Sequence, residues 1–158
     1  MYSYKRILVP TDGSDVSAFA EQAAVDFARA HGSEIVTLSV AKPYPAYAAA
    51  EASMAVDPGL DDQALRDWAE RNVRRVAAAA AAAGVPCTTL TVFSHSASDA
   101  ILDAVTEQQC DLIFMGSHGR RGLSRLLAGS ETQNVLAYAQ VPVMVMRPPD
   151  KSGHRPRP

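Results

Sequence analysis

The sequence is poor in several residue types and patterns, and each shortage argues against a class of protein. It has two cysteines and one tryptophan among 158 residues, so it resembles neither a disulfide-rich secreted domain nor a cysteine-rich zinc protein. Cys87 and Cys110 are predicted to be buried, reduced thiols. No apolar run approaches the roughly 20 residues of a membrane-spanning helix. A formal net charge of −2 argues against a general nucleic-acid binder.

The start of the chain leads directly into an apolar segment, which predicts that no signal peptide is present. The sequence therefore predicts a cytoplasmic protein with no membrane or nucleic-acid partner. Hydrophobic residues make up 47% and charged residues 20% of the chain, as in ordinary globular domains.

Two common nucleotide-binding patterns are also missing. The P-loop needs a lysine after its last glycine, and no lysine follows a glycine in this chain. The G-x-G-x-x-G dinucleotide pattern does not occur either. No nucleophile and general base stand out by spacing, and no metal-ligand spacing is seen. Catalysis is therefore left open, and a binding protein without catalytic or metal-binding residues is the simpler interpretation.

Short apolar runs alternate with segments of helical period along the chain. The runs are 6–10, 34–41, 87–93, 112–115 and 142–147. The predicted helix starts are Asp15 or Ser17, Asp61 and Asp62, Ser98 or Asp99, and Ser130, which forms a capping box with Gln133. This alternation predicts an α/β fold with an open, five-stranded parallel sheet and helices on both faces.

Residues 1–148 are expected to form one domain, and residues 149–158 a disordered basic tail. The connection from Lys42 to Gly59 has no clear period, so it is interpreted either as a mobile crossover loop or as a lid over a ligand.

The stretch that begins at the fourth strand carries the clearest chemical pattern. Gly116 and Gly119 follow the buried run 112–115, and Gly129 and Ser130 lead into the last helix, with Arg120, Arg121 and Arg125 between them. Exposed backbone N–H groups, a helix N-terminus and guanidinium groups all suit phosphate. In an open parallel sheet, ligands bind where the strand order reverses. The loop 11–14 after the first strand is therefore expected to face the loop 116–130.

The spacing Gly116-x2-Gly119-x9-Gly129-Ser130 resembles the G-x2-G-x9-G-(S/T) pattern of nucleotide-binding universal stress proteins, and the resemblance extends over Tyr4 to Arg147. It implies a Rossmann-like fold of the adenine nucleotide alpha hydrolase kind, with strand order 3-2-1-4-5. It also implies an ATP-binding regulatory module, with or without Mg²⁺. A homodimer formed through the last strand, Val143–Met146, is implied as well.

The same resemblance implies a role for individual residues. Asp12 would contact the adenosine moiety, Pro10 and Thr11 would line the pocket, and the main chain of Val40 would bind adenine. Met115 and Gly116 would support the ribose. The residues implied at the phosphates are His118, Gly119, Gly129, Ser130 and Thr132. Arg120 and Glu131 are further candidate binding residues because they stand in the same stretch of the sequence.

Several alternatives stay open at this point. Asp12 could serve only an Asx-turn, His118 could be a loop histidine, and the arginines could form a solvated surface. Glu131 stands where many relatives have a small apolar residue, and its carboxylate would repel a triphosphate unless it points away or meets a metal ion. Ser94–Ser96 stands where many relatives have a glycine. Rival functions are a slow ATPase of the same fold, a nucleotide-free interaction module and an FMN-binding flavodoxin-like protein.

Overall fold

The computed structural model describes residues 3–43, 58–117 and 129–149, with the backbone alone at 58–61. Nine helices and strands alternate in this part of the chain. They are β1 (Arg6–Pro10), α1 (Asp15–His31), β2 (Glu34–Ala41), α2 (Pro58–Ala82), β3 (Cys87–Phe93), α3 (Ala97–Glu107), β4 (Leu112–Gly116), α4 (Ser130–Tyr138) and β5 (Val143–Met146).

The strands form one parallel sheet of five strands in the order β3-β2-β1-β4-β5. This order confirms the predicted fold class. β1 lies at the centre, paired with β2 through Arg6–Pro10 and with β4 at Ile7 and Leu8. The chain moves to one side of β1 first and to the other side afterwards, so the order reverses between β1 and β4.

Alternate residues of the central strands face two separate cores. Ile7 and Val9 of β1 point to the face covered by α1 and α2, where Ala24, Val25 and Ala28 of α1 pack. Leu8 points to the opposite face, where Ile101 of α3 and Val135 of α4 pack. Both faces of the sheet are thus covered, as the near-continuous apolar runs of buried parallel strands require.

Helices α1 and α3 begin earlier than the sequence predicted, because in both a serine that precedes the predicted residues is the N-cap. The cap of α1 is Ser14, whose Oγ accepts the Ser17 N–H at 3.1 Å. The cap of α3 is Ser96, whose Oγ accepts the Asp99 N–H at 3.2 Å. The predicted caps Asp15, Ser17, Ser98 and Asp99 all lie inside the first turns. Each cap bonds the third residue beyond it, so two of the predicted caps, Ser17 and Asp99, are in fact the donors.

The start of α2 also differs from the prediction, whereas α4 begins at Ser130 as predicted. α2 begins at Pro58, ahead of Asp61 and Asp62. The capping box predicted for Ser130 and Gln133 is wrong, because the N-cap of α4 is Gly129, with φ −59° and ψ 159°, and this residue has no side chain that could bond the first turn. Ser130 is already helical, so its hydroxyl is not in the cap position.

Both cysteines are free thiols, as predicted, but their burial differs. Cys110 is buried, whereas Cys87 is half-buried on the edge strand β3. Burial raises the pKa of the Cys110 thiol from 9.0 to about 11, so the thiol stays protonated at neutral pH.

In the described part of the chain, no helix has the length and apolarity to cross a membrane. The predicted tail, apart from Pro149, and most of the connection 42–59 lie outside the described residues.

Candidate functional site

The carboxyl ends of β1, β2 and β4 and the start of α4 meet at one edge of the sheet. This edge carries the predicted residues Pro10, Thr11, Asp12, Val40, Met115, Gly116, Gly129, Ser130, Glu131 and Thr132. His118, Gly119 and Arg120 lie outside the described residues, as do Arg121 and Arg125. The structure therefore describes the residues that were predicted to contact adenosine and the start of α4, whereas the arginine-containing loop lies outside the described residues.

The loop after β1 is fixed by backbone and side-chain bonds. The Thr11 N–H donates to the Leu38 carbonyl of β2 at 2.8 Å. The Asp12 carboxylate accepts the Ser14 N–H at 3.0 Å, and Asp12 is half-buried. The Asx-turn considered from the sequence is therefore present. Because a carboxylate has several acceptor positions, this bond leaves Asp12 able to contact a ligand as well.

Two of the predicted residues contribute to the core as much as to the edge. Met115 is 6% exposed and packs in the core under α3 and α4. Val40 is half-buried and packs against the same core. Their side chains are committed to packing.

β4 ends in close contact with the first turn of α1. A Cβ added at Gly116 would lie 3.0 Å from Val16 Cγ1 and 3.2 Å from the Val16 carbonyl oxygen. Contacts this short leave little room for a larger residue, so Gly116 allows β4 and α1 to approach. The glycine is thus explained by packing, in addition to any role toward a nucleotide.

The start of α4 is held against the end of β4. The Gly129 N–H donates to the Ser117 carbonyl at 3.0 Å, and the Thr132 hydroxyl donates to the Gly116 carbonyl at 3.3 Å. Thr132 is 3% exposed, so its hydroxyl serves this internal bond. Ser117 in turn donates its N–H to the Met146 carbonyl of β5 at 2.9 Å.

The first turn of α4 offers backbone N–H groups to an anion. The N–H groups of Ser130, Glu131 and Thr132 have no carbonyl partner within the helix, as at any helix start. The N-caps of α1 and α3 are serines whose hydroxyls each accept one such N–H group, whereas the N-cap of α4 is Gly129, which has no side chain to do so. The positive end of the helix dipole adds to the attraction for phosphate.

Glu131 points its carboxylate at two internal partners. One oxygen bonds the Lys42 ammonium at the end of β2, and the other accepts the Ser98 N–H in the first turn of α3 at 2.8 Å. Burial raises the pKa of Glu131, but the bonds from Lys42 and Ser98 outweigh that effect and hold the pKa below its ordinary value of 4.5. The negative charge that the sequence placed at a phosphate site is therefore compensated within the protein.

Sequence reasoning missed the polar residues that support the edge from behind. They are Lys42, Ser98, Glu21, Asn72 and Arg75. One signal was available: Glu21 falls on the alanine-rich face of α1 that also holds Ala24 and Ala28, where a charged residue is unexpected. The described residues contain no cluster of three or more His, Cys, Asp or Glu side chains that could hold a metal ion.

Comparison with known proteins covers almost the whole chain. The profile of the Universal stress protein family matches residues 3–147. A universal stress protein of Methanocaldococcus jannaschii is 32% identical, over 94% of this chain and 85% of its own length. One from Thermus aquaticus is 33% identical, over 91% of this chain and 99% of its own length.

Solved structures share the fold. A further protein of Methanocaldococcus jannaschii superposes with a TM-score of 0.80 at 24% identity, covering 95% of this chain and 100% of its own. A universal stress protein in complex with cAMP has a TM-score of 0.63 at 24% identity, covering 92% and 98% of the two chains. One from Archaeoglobus fulgidus in complex with dAMP has a TM-score of 0.63 at 18% identity, covering 92% and 100%. With the matched profile and relatives above 30% identity, this chain belongs to the universal stress protein family.

Proposed function

We propose that this protein binds an adenine nucleotide, with ATP as the expected ligand, and acts as a nucleotide-sensing regulatory module of the stress response. The phosphates would lie on the N–H groups of Ser130, Glu131 and Thr132. The ribose would lie beside Asp12 and Gly116, and the adenine against the main chain of Val40. The single observation that supports this most strongly is the α4 start, which is anchored through the Gly129 N–H to the Ser117 carbonyl just after β4 and has a glycine, without a capping side chain, as its N-cap.

The position of Glu131 supports the same proposal. A carboxylate aimed at the helix start would occupy the place of a phosphate oxygen. Here both of its oxygens are engaged by Lys42 and Ser98. This removes the main argument for a nucleotide-free interaction module.

Adenine nucleotides are also what two proteins of the same fold hold, namely cAMP and dAMP. Both are monophosphates, so the number of phosphates that this chain accepts has to be measured together with the need for Mg²⁺. A cytoplasmic location and a homodimer through Val143–Met146 complete the proposal.

The proposal is tested by calorimetric titration of nucleotide-stripped protein with ATP, ADP and AMP, each with and without Mg²⁺. The wild type is compared with Gly129→Asp and Gly129→Asn. Gly129 has φ −59° and ψ 159°, close to the φ −75° and ψ 163° of the serine cap of α1, so either side chain can cap α4. Each variant should gain a few tenths of a kcal/mol in stability.

The two variants should differ in affinity. The carboxylate that Gly129→Asp introduces repels phosphate, so we expect a loss of more than about tenfold in ATP affinity. The neutral amide that Gly129→Asn introduces competes with phosphate only for the N–H groups, so we expect a smaller loss of ATP affinity. Gly32→Asn is the control, because Gly32 ends α1 with φ +68° and open space around it, a conformation that asparagine tolerates. A folded wild type that binds none of the three nucleotides would contradict the proposal.

A further inference from the structure

A buried carboxylate lies directly behind the loop that carries Asp12. Glu21 of α1 is 5% exposed, and its Oε1 accepts a hydrogen bond from the Thr11 hydroxyl. The Ser17 hydroxyl lies 2.8 Å from the same oxygen and 3.0 Å from Thr11 Oγ1. Three polar side chains thus share one buried cluster at the end of β1, and two of them, Ser17 and Glu21, lie outside the nucleotide contacts proposed above.

The charge of Glu21 is balanced from a second helix. Arg75 of α2 places Nη2 at 2.7 and 2.9 Å from the two carboxylate oxygens and Nε at 3.2 Å from Oε2. A buried carboxylate without such a partner would be strongly destabilising. The Arg75 side chain is 45% exposed, so the pair connects the buried cluster to the surface of α2.

Thr11 connects the Glu21 carboxylate to the loop that carries Asp12. Its Oγ1 donates to Glu21 and accepts the Gly13 N–H at 3.3 Å, while its own N–H is held by Leu38. The backbone is therefore fixed on both sides of Asp12. The conformation of the loop that presents Asp12 depends on a hydroxyl that Glu21 orients.

α2 supports the loop at a second point, three residues before Arg75. Asn72 is 7% exposed and donates to the Ser39 hydroxyl of β2 at 3.3 Å. A Cβ at Gly13 would lie 2.6 Å from Asn72 Oδ1, so Asn72 packs against the loop. Residues three apart share one face of a helix, and this face of α2 backs the site.

We propose that Glu21 and Arg75 are positioning residues for nucleotide binding, acting through Thr11 on the loop that carries Asp12. This inference rests on the proposed function. A buried ion pair often adds little stability over an apolar pair of the same volume, whereas here it fixes a hydroxyl that orders the candidate site.

The test uses full-length protein and two readouts. The first is the hydrogen-exchange rate of the Gly13 amide in nucleotide-free protein, and the second is the Kd for ATP by calorimetry. The variants are Thr11→Val, which removes the hydroxyl at nearly constant shape, Thr11→Ser, which restores it, and Arg75→Met. Matched controls are Thr37→Val, since the buried Thr37 hydroxyl bonds the Val9 carbonyl at 3.1 Å, and Arg74→Met, since Arg74 pairs with Glu70 at 2.9 Å.

We expect Gly13 exchange and the ATP Kd to rise by about three- to tenfold in Thr11→Val and Arg75→Met. Thr11→Ser should restore both values, and the two controls should leave both unchanged. The inference is overturned if a wild type that binds ATP keeps its Kd and its Gly13 protection in Thr11→Val and Arg75→Met, or if the controls lose as much. A wild type that binds no nucleotide overturns the proposed function first and this inference with it.

Discussion

At the scale of single residues, the space around a glycine shows whether packing, as well as backbone conformation, requires glycine at that position. Among the described residues, Gly13, Gly32 and Gly84 hold positive φ values of 76°, 68° and 72°. A Cβ at Gly32 or Gly84 would meet nothing within 4 Å, whereas at Gly13 it would meet Asn72. Gly32 and Gly84 are thus required by backbone conformation alone, and Gly13 by conformation and by packing.

Because of this difference, Gly13→Ala should lower the free energy of unfolding more than Gly84→Ala does. Both variants carry the left-handed backbone penalty of about 1–2 kcal/mol. Gly13→Ala should cost about 1 kcal/mol more, because Asn72 has to move and weaken its bond to Ser39. Urea unfolding of both variants measures the difference. In an Asn72→Ala background the extra cost should disappear, and equal costs in the wild-type background would contradict the packing argument.

The sequence predicted which residues stand at the edge of the sheet, but not what their side chains do there. The glycine spacing identified Gly116 and Gly129. It could not show that the Thr132 hydroxyl is used by the Gly116 carbonyl, or that Met115 lies in the core. Those facts depend on contacts between residues far apart in the chain, which spacing along a sequence does not contain.

At the scale of helices, the starts of α3 and α4 are joined through one side chain. Glu131 in the first turn of α4 accepts the N–H of Ser98 in the first turn of α3, and Lys42 follows β2. A carboxylate in this position stabilises both helix N-termini through their dipoles. The sequence placed Glu131 correctly in a first turn, but its partners were not foreseen, because three separate segments meet there.

Replacing this carboxylate should therefore have two opposite effects. Glu131→Gln should lower stability at pH 7 by about 0.5 kcal/mol, a small value because the Lys42 pair is partly exposed and screened. It should raise ATP affinity by about threefold, since a negative charge is removed beside the phosphates and Lys42 is released. Thermal unfolding and calorimetric titration measure the two effects.

The stability effect should also depend on pH. The pKa of Glu131 in the folded protein lies below 4.5. The ionised carboxylate therefore stabilises the folded state above that pH, and this stabilisation is lost as the pH falls through the pKa of the folded protein. The difference between wild type and Glu131→Gln should shrink toward pH 3. Glu70→Gln on the surface of α2 is the control, because its partner Arg74 is four residues away on the same helix. A pH-independent difference would show that Glu131 is not ionised in these contacts.

At the scale of the whole molecule, the alternation of strands and helices was enough to predict a parallel sheet covered on both faces. The strand order followed from the family resemblance and is confirmed by the pairing of β1 with both β2 and β4. The helix starts were less predictable, because several serines and aspartates compete at each one and backbone geometry selects among them. The sheet leaves two edges, β3 and β5, and an exposed strand edge favours pairing with another chain.

The β5 edge fits the proposed homodimer. All four residues of β5 are half-buried, and Leu136 and Tyr138 at the end of the adjacent α4 are 49% and 71% exposed. The Met146 carbonyl accepts from β4, as does the carbonyl of Pro142 just before β5. In a parallel ladder the intervening residues Val143 and Val145 then direct their backbone groups toward the open edge.

Val145→Pro should therefore block pairing through this edge without breaking the β4–β5 ladder. We expect light scattering to give twice the chain mass of 16.8 kDa for the wild type and that mass for the variant. Thr91→Pro changes an outward residue of the opposite edge and should leave the dimer intact. A dimer that survives Val145→Pro and dissociates with Thr91→Pro would place the interface at β3.

The most direct test of nucleotide binding at the α4 start is an amide NMR titration of the ¹⁵N-labelled, nucleotide-stripped protein with ATP and Mg²⁺. We expect saturable shifts of the Ser130, Glu131 and Thr132 amides, together with Asp12 and Gly116, while the amides around Gly32, at the far end of α1, stay in place. Saturable ATP binding that leaves the three α4 amides unmoved, or no binding by the folded protein, would contradict the proposal.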